Sequence, residues 1–248
     1  YHNLASVTGA GIAEISNQLE FDDEVAFHGE AELYRLARLR GEQPWCLTVS
    51  FTHPHDPYVA RQRFWDLYED CPALQPEVAA IPYEEQDPHS RRLLESVDFR
   101  RFEITGDDVR RSRRAYFANI SYLDEKIGRL LDVLESCEMA EDTVVIFLAD
   151  HGDMLGERGL WFKMSFFEGS ARIPLMMAGP GLGEGRIDTP ASALDILPTL
   201  CELAGIAPDP AAATLDGESL LPIAGGSPRR RPVMMEYAAE GSCAPLVS

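Results

Sequence analysis

The sequence lacks any apolar stretch of the roughly 20 residues that a membrane-spanning helix requires. Its first residues also lack the charged-then-apolar pattern of a secretory signal. Positive charge is scarce, because 22 lysines and arginines stand against 41 aspartates and glutamates, for a formal net charge of −19. Such a field repels phosphate backbones and anionic lipids, so it disfavours nucleic acid and membranes as partners and favours a cationic ligand.

Cysteine is present without the spacing of a disulfide or zinc framework. The five cysteines stand at positions 46, 71, 137, 201 and 243 and include no C-x-x-C pair. Neither a disulfide framework nor a structural zinc site is indicated, so the sequence predicts reduced thiols in a cytoplasmic protein. The chain starts at Tyr1 rather than at methionine and stops after the apolar residues 244–248. We therefore expect it to be a fragment.

The remaining composition is that of a folded protein, because 45% of the 248 residues are apolar and can form a substantial core. Helical and strand patterns alternate, which predicts an α/β class of layered architecture with a mostly parallel central sheet. The acids Asp22, Asp23 and Glu24 predict the start of a helix that stops near Gly41. A second helix is expected from Thr105, with an apolar stripe at positions 116, 120, 123, 127, 130, 131 and 134 facing the core.

Predicted strands cover residues 45–51, 143–148, 174–178 and 232–237. The continuous apolar run of 143–148 is typical of the middle of a parallel sheet. Residues 52–88 read as a long loop with one short helix near 61–68, and the length of that loop hints at function. The arginines at 110, 111, 113 and 114 fit a solvated helix face better than an anion site, and Asp195 fits a helix N-cap better than a catalytic role.

Candidate chemistry follows two of the predicted strands, where open α/β sheets collect their ligands. Asp150 and His151 offer a carboxylate and an imidazole to one metal ion, with Gly152 allowing a sharp turn, and Lys163 lies within reach of an anion on that metal. The alternatives are a capping aspartate, a histidine bonded to backbone and a surface lysine. After strand 45–51 come His53 and His55, of which only one should face such a site, because the turn at Pro54 separates them.

These residues carry a family resemblance. The run 148–156, LADHGDMLG, followed by Trp161, Lys163, Glu168, Arg172, Ile173 and Pro174, resembles the sulfatase branch of the alkaline phosphatase superfamily. Residues 54–57, PHDP, match its Pro-His-x-Pro element, residues 116–131 its Tyr-rich helix, and 195–200 with 216–217 its later helix and loop. The similarity covers nearly the whole chain, and segments 50–59 and 236–241 are most similar to the bacterial choline-sulfatase group.

The resemblance implies an alkaline-phosphatase-like sulfatase fold, incomplete at both ends. Residues 1–205 would be the later part of the α/β catalytic domain, and residues 206–248 a linker and the start of a C-terminal subdomain. The implied activity is that of a sulfuric ester hydrolase that converts choline-O-sulfate and water to choline and sulfate. A phosphonate or phosphate monoester hydrolase of the same superfamily, or a non-catalytic degenerate relative, stays open, as does a homo-oligomer.

The resemblance also implies roles for single residues. Asp150 and His151 would be ligands of a divalent cation, with Ca²⁺ expected and Mn²⁺ or Mg²⁺ left open. Lys163 would hold a sulfate oxygen, and His55 would donate to the sulfate or protonate the leaving alkoxide. Glu240 would face the choline trimethylammonium, with Trp161 as one member of an aromatic wall.

One expected residue is missing from the sequence. The family's nucleophile is a formylglycine made from the cysteine of a Cys-x-Pro-x-Arg motif. Cys71 is followed directly by proline and fails that motif, and Cys243 has Val247 where arginine is required. We therefore expect the formylglycine and the remaining metal carboxylates in a segment N-terminal to this chain, and we expect the chain alone to be inactive.

Overall fold

The computed structural model describes residues 3–206 and 215–237. Its helices are α1 (Ala5–Thr8), α2 (Asn17–Arg38), α3 (Gln62–Trp65), α4 (Pro88–Ser96), α5 (Gly106–Ser136), α6 (Glu168–Ala171), α7 (Ile196–Leu203) and α8 (Leu220–Ala224). Its strands are β1 (Gly11–Ile12), β2 (Val59–Ala60), β3 (Val145–Leu148) and β4 (Leu175–Ala178). Single turns of 3₁₀ helix lie at Asp66–Tyr68, Pro72–Leu74, Tyr83–Glu85, Phe99–Arg101, Ala140–Asp142, Glu157–Gly159 and Ala193–Asp195.

The chain divides into two compact units. The first contains the described residues up to Thr143 together with His151–Ile173, and the second contains Val144–Asp150 and Pro174–Tyr237. The mixture of helices and strands confirms the predicted α/β class. In the first unit the long helices α2 and α5 pack against each other, and α5 also packs against α1, α3 and β2. In the second, β3 pairs with β4 and α7 packs on α8.

Helix α2 begins earlier than its acids predicted. Ser16 is its N-cap and accepts the N–H of Leu19 at 3.1 Å, so the helix starts at Asn17. Asp22 and Asp23 therefore lie in the second turn, and the predicted start at these acids is wrong. Both carboxylates are instead held by tertiary hydrogen bonds, which local sequence does not reveal.

Helix α5 begins where the sequence predicted, with Thr105 as N-cap and a reciprocal capping box with Asp108. Its buried face differs from the predicted apolar stripe, because Ile120 and Leu131 are 42% and 39% exposed while smaller and polar residues face the core. The face is built from Asp108, Ser112, Arg113, Ala115, Ala118, Asn119, Tyr122, Lys126, Val133 and Leu134.

The predicted solvation of the α5 arginines is wrong for Arg113. That side chain is buried and donates to the carbonyl oxygens of Ala73 at 2.8 Å and Leu155 at 3.0 Å, and to the Glu157 carboxylate at 3.1 Å. Arg114 also turns inward to donate to the Trp65 carbonyl. Arg113 thus fastens two distant loops to α5.

The strand pairing differs from the predicted mostly parallel sheet. Strand β3 pairs antiparallel with β4, with Val145 opposite Ala178 and Leu148 opposite Leu175. The two-residue pair of β1 and β2 is parallel. Residues 45–51 and 232–237 are not hydrogen-bonded as strands among the described residues, because no neighbouring strand lies beside them there. Residues 45–51 instead run along α2, where Val49 approaches Gly29.

In the second unit, Asp195 holds several segments together. It occupies the N-cap position of α7, as predicted, but its side chain makes no capping bond to that helix. Ser192 caps the 3₁₀ turn before α7, and Asp195 accepts the Ser192 N–H in a capping box. The fully buried Asp195 carboxylate also accepts a bidentate bond from Arg229 at 2.6 and 3.0 Å. Burial alone would raise the pKa of Asp195, but the bonds from Arg229 and backbone outweigh it and lower the pKa.

Within the described ranges, no helix is both long and apolar enough to cross a bilayer.

Candidate active site

The centre of the candidate site is a contact between Lys163 and His55, which lie 108 residues apart. Lys163 Nζ is 2.6 Å from His55 Nε2. A lysine ammonium can only donate, so Nε2 carries the lone pair in this state and Nδ1 carries the proton. Nδ1 in turn donates to the Asp56 carbonyl at 2.9 Å and lies 3.1 Å from the Asp56 carboxylate. The ends of the Lys163 and His55 side chains therefore lie together, where Lys163 can bind an anion.

His151 lies beside this pair. Its ring is 5.9 Å from that of His55, edge to face, and its Nδ1 donates to the Gly152 carbonyl at 2.8 Å. A proton fixed on Nδ1 puts the lone pair on Nε2, the arrangement that metal-binding histidines use. Asp150 precedes it directly after β3, at an exposed position in the second unit.

Gly152 allows two segments of backbone to lie close together. Its N–H donates to the Ser170 carbonyl at 2.8 Å, and a β-carbon at this position would overlap the carbonyl oxygen of Gly169. The glycine of the Asp-His-Gly run therefore lets the loop that carries His151 lie against α6.

The two histidines after residues 45–51 face different surroundings, as the turn at Pro54 predicted. His53 is buried and its Nδ1 donates to Asp22 Oδ2 at 2.6 Å, whereas His55 reaches Lys163 with its side chain 25% exposed. Asp22 also accepts the N–H groups of Thr52 at 2.7 Å and His53 at 2.9 Å. Burial alone would raise the pKa of Asp22, but these bonds outweigh it and lower the pKa. Asp22 thus anchors the segment that carries His55.

Asp23 lies in a second polar network beside Asp22. It accepts from Lys126 and Arg61 at 2.5 Å each and from the Tyr122 hydroxyl at 3.0 Å. Burial alone would raise the pKa of Asp23, but the bonds from these three groups outweigh it and lower the pKa to about 2. Burial and the Asp23 carboxylate together raise the pKa of Tyr122.

Trp161 and Glu240 were expected to recognise the cation of a substrate, and only Trp161 lies among the described residues. Trp161 is 6% exposed and packs in the core cluster, with its ring 5.9 Å from that of Tyr58. Glu240 lies outside the described residues. In the part of the chain that is described, no three or more His, Cys, Asp and Glu side chains are arranged to hold a metal.

Two carboxylates of the site region were not singled out from the sequence. Asp22 holds the His55 segment, and Asp153 accepts hydrogen bonds from Tyr58, Leu155 and Phe162. The sequence did not show either role, because the hydrogen-bond partners of these carboxylates lie up to 95 residues away.

Comparison with known proteins identifies the family. A sulfatase family model matches residues 15–206. A choline-sulfatase of Rhizobium meliloti (strain 1021) is 63% identical over 251 residues, covering 100% of this chain and 49% of that protein. An arylsulfatase of Clostridium perfringens (strain 13 / Type A) is 31% identical over 177 residues, covering 69% of this chain and 36% of that protein.

Solved structures agree on the fold. A phosphonate monoester hydrolase from Silicibacter pomeroyi matches with a TM-score of 0.70 and 27% identity over 83% of this chain and 42% of that one. The phosphonate monoester hydrolase of Agrobacterium radiobacter matches with a TM-score of 0.68 and 27% identity, covering 92% and 46%. These matches confirm the predicted sulfatase-like fold, and the chain spans about half the length, or less, of the relatives named above. The chain belongs to the sulfatase family.

Proposed function

We propose that the protein containing this chain is a sulfuric ester hydrolase whose substrate is choline-O-sulfate. The observation that carries the proposal is the 2.6 Å contact of Lys163 with His55 beside the His151 ring, in a chain 63% identical to a choline-sulfatase. A lysine cation, a histidine that donates from Nε2 once it carries both protons, and a second ring able to ligate a metal can together surround one tetrahedral anion. The net charge of −19 suits a substrate that carries a trimethylammonium group.

Lys163 and His55 take separate roles in this proposal. The Lys163 ammonium holds a sulfate oxygen and is worth most as negative charge grows during cleavage of the S–O bond. The choline oxygen leaves as an alkoxide and needs a proton. His55 supplies it from Nε2 after Lys163 has turned to the sulfate and the ring has taken up a second proton from solvent. The Asp56 carboxylate, 3.1 Å from Nδ1, stabilises the His55 ring when it carries both protons.

Asp150 and His151 are proposed as two ligands of a divalent cation. The fit rests on His151, whose Nδ1–H bond to the Gly152 carbonyl leaves the lone pair on Nε2, the nitrogen that would ligate a metal. Ca²⁺ is the proposed ion, with Mn²⁺ and Mg²⁺ as alternatives because one ligand is an imidazole. When bound, the ion would neutralise charge on the sulfate and on the nucleophile.

The nucleophile is proposed to be a formylglycine outside these 248 residues. When present, this group would supply the oxygen that attacks sulfur. Cys71 does not fit this group, because Pro72 follows it directly and begins a 3₁₀ turn. This chain's contribution is to bind the ester and protonate the leaving group.

The cation of the substrate is proposed to meet Glu240 and an aromatic wall that includes Trp161. Since Trp161 is only 6% exposed, it would support such a wall from below rather than present its ring face to the cation.

We further propose that residues 1–205 belong to the catalytic domain and 206–248 lead into a C-terminal subdomain. The end of the family match at residue 206 supports that boundary.

A cytoplasmic location is proposed from the free thiols of the described cysteines.

A phosphonate monoester hydrolase is the second candidate, favoured by the TM-scores of 0.70 and 0.68 to two such enzymes. The test compares the full-length protein's kcat/KM for choline-O-sulfate with that for a phenyl phosphonate monoester. We expect the sulfate ester to be preferred and Lys163→Ala to lower kcat/KM by about 100-fold or more. Lys163→Arg is the matched control, because it keeps the positive charge but changes the length and shape of the side chain. Turnover of the phosphonate alone would assign the second function, and no turnover of either would leave a non-catalytic relative.

A further inference from the structure

The loop that carries Lys163 has an unusual backbone. Four residues that are not glycine adopt positive φ between positions 155 and 164: Leu155 at 47°, Arg158 at 60°, Phe162 at 63° and Met164 at 69°. Lys163 thus stands between two left-handed residues. Side chains with a β-carbon occupy this region at a cost, so the conformation persists only where the surroundings enforce it.

One carboxylate enforces the backbone at two of these residues. Asp153 Oδ1 accepts the N–H of Leu155 at 2.9 Å and the N–H of Phe162 at 3.0 Å. Both donors are left-handed, and Phe162 is the residue directly before Lys163. The Phe162 carbonyl also accepts the Met154 N–H at 2.7 Å, which closes the loop on itself.

The other oxygen of the same carboxylate reaches the His55 segment. Asp153 Oδ2 accepts the hydroxyl of Tyr58 at 2.8 Å. Tyr58 is fully buried, and its ring stacks on that of Phe162 at 6.3 Å with an interplanar angle of 8°. Because Tyr58 lies three residues after His55, Asp153 connects the loops that bear the two halves of the Lys163–His55 contact.

We propose that Asp153 is a positioning residue that holds Lys163 at its working place by fixing the left-handed backbone at Leu155 and Phe162. This inference rests on the proposed function, since it assumes that Lys163 binds the substrate's anionic group. Asp153 acts on the two loops through its hydrogen bonds to Phe162 and Tyr58. What matters is an acceptor that spans two N–H groups, not a negative charge.

A matched pair of variants separates the acceptor from the charge. Asp153→Asn keeps an oxygen for the two N–H groups and can turn its amide N–H₂ toward the Tyr58 oxygen. Asp153→Leu has a similar volume but leaves both N–H groups without an acceptor. In the full-length enzyme we expect D153N to keep kcat within about tenfold of wild type and D153L to lower it by about 100-fold, since displacement by about 1 Å has effects of that order.

A double-mutant cycle distinguishes positioning from general damage to the fold. In a Lys163→Ala background, D153L should lower kcat by less than about threefold, because the residue it positions is gone. An undiminished 100-fold loss in that background would overturn the inference, as would equal losses in D153N and D153L. Asp153→Ser, too short to span both donors, replaces D153L if D153L does not fold. Failure of both to fold would also overturn it, by assigning Asp153 to the fold alone.

Binding of inorganic sulfate, measured by isothermal titration calorimetry, gives a readout without turnover. We expect K163A and D153L to weaken sulfate binding by about tenfold each and D153N to change it less than threefold, with the wild-type melting temperature as a folding control. This pattern without hydrolysis of any sulfate ester would sink the proposed function and leave the positioning role supported. A K163A effect without a D153L effect would sink the positioning role alone, and no K163A effect would sink both.

Discussion

Replacement of Asp22 by asparagine should destabilise the protein through the segment that carries His55. Asp22 is fully buried and accepts three hydrogen bonds, from the Thr52 N–H, the His53 N–H and His53 Nδ1. An asparagine keeps one acceptor oxygen, but its amide N–H₂ then faces the two donors of His53. Each buried donor left unpaired costs about 1–3 kcal/mol, so a loss of about 3 kcal/mol is expected. For a domain of this size that corresponds to a fall in melting temperature of about 6–12 °C.

The destabilisation caused by Asp22→Asn should decrease as the pH falls. The pKa of Asp22 is lowered from 3.8 in the folded state, so the stabilising contribution of its carboxylate is complete above the unfolded pKa and is lost as the pH falls through the folded pKa. Urea unfolding from pH 7 to pH 3 should therefore give a D22N deficit that is constant down to about pH 5 and shrinks below about pH 4.

Glu24→Gln is the matched control, because it removes an exposed carboxylate from the same helix. It should change the free energy of unfolding by less than about 0.5 kcal/mol at pH 7. A D22N deficit no larger than that of E24Q, or one that persists unchanged at pH 3, would show that the buried hydrogen bonds of Asp22 do not stabilise the fold.

Three other substitutions test separate parts of the structure. Gly152→Ala should lower both melting temperature and activity, because its β-carbon meets a backbone oxygen, whereas Gly183→Ala, with open space around it, should change neither; calorimetry of the pair decides this. Arg113→Met should cost about 2–4 kcal/mol in urea unfolding by leaving buried carbonyls unpaired, against a change within about 0.5 kcal/mol for the exposed Arg110→Met. His55→Ala should lower kcat for choline-O-sulfate by about 100-fold or more while the circular dichroism melting curve stays at wild type; an unchanged kcat would remove it from the acid role.

The parts of the site that depend on short motifs could be predicted from sequence. The choice of His55 over His53 followed from the turn expected at Pro54 and from the Pro-His-x-Pro match, and the structure places His55 against Lys163. The start of α5 followed from Thr105 and the acids after it. These features depend on neighbours within a few residues, so the sequence carries them directly.

Features that depend on distant partners escaped prediction. Asp22 looked like a helix-start acid, but its partners lie 30 and 31 residues away. Arg113 looked like a solvated residue among four arginines, yet loops 40 and 42 residues away supply its acceptors. The pairing of β3 was missed for a related reason, because an apolar run indicates burial but not the direction of the strand beside it.

The segment 45–51 has a consequence for handling the protein. Its residues alternate between partly buried and exposed along α2, and among the described residues its backbone groups join no neighbouring strand. A row of unpaired N–H and C=O groups beside apolar side chains is a template for strand addition by another chain. A preparation of these 248 residues should therefore self-associate as its concentration rises, which sedimentation analysis would detect.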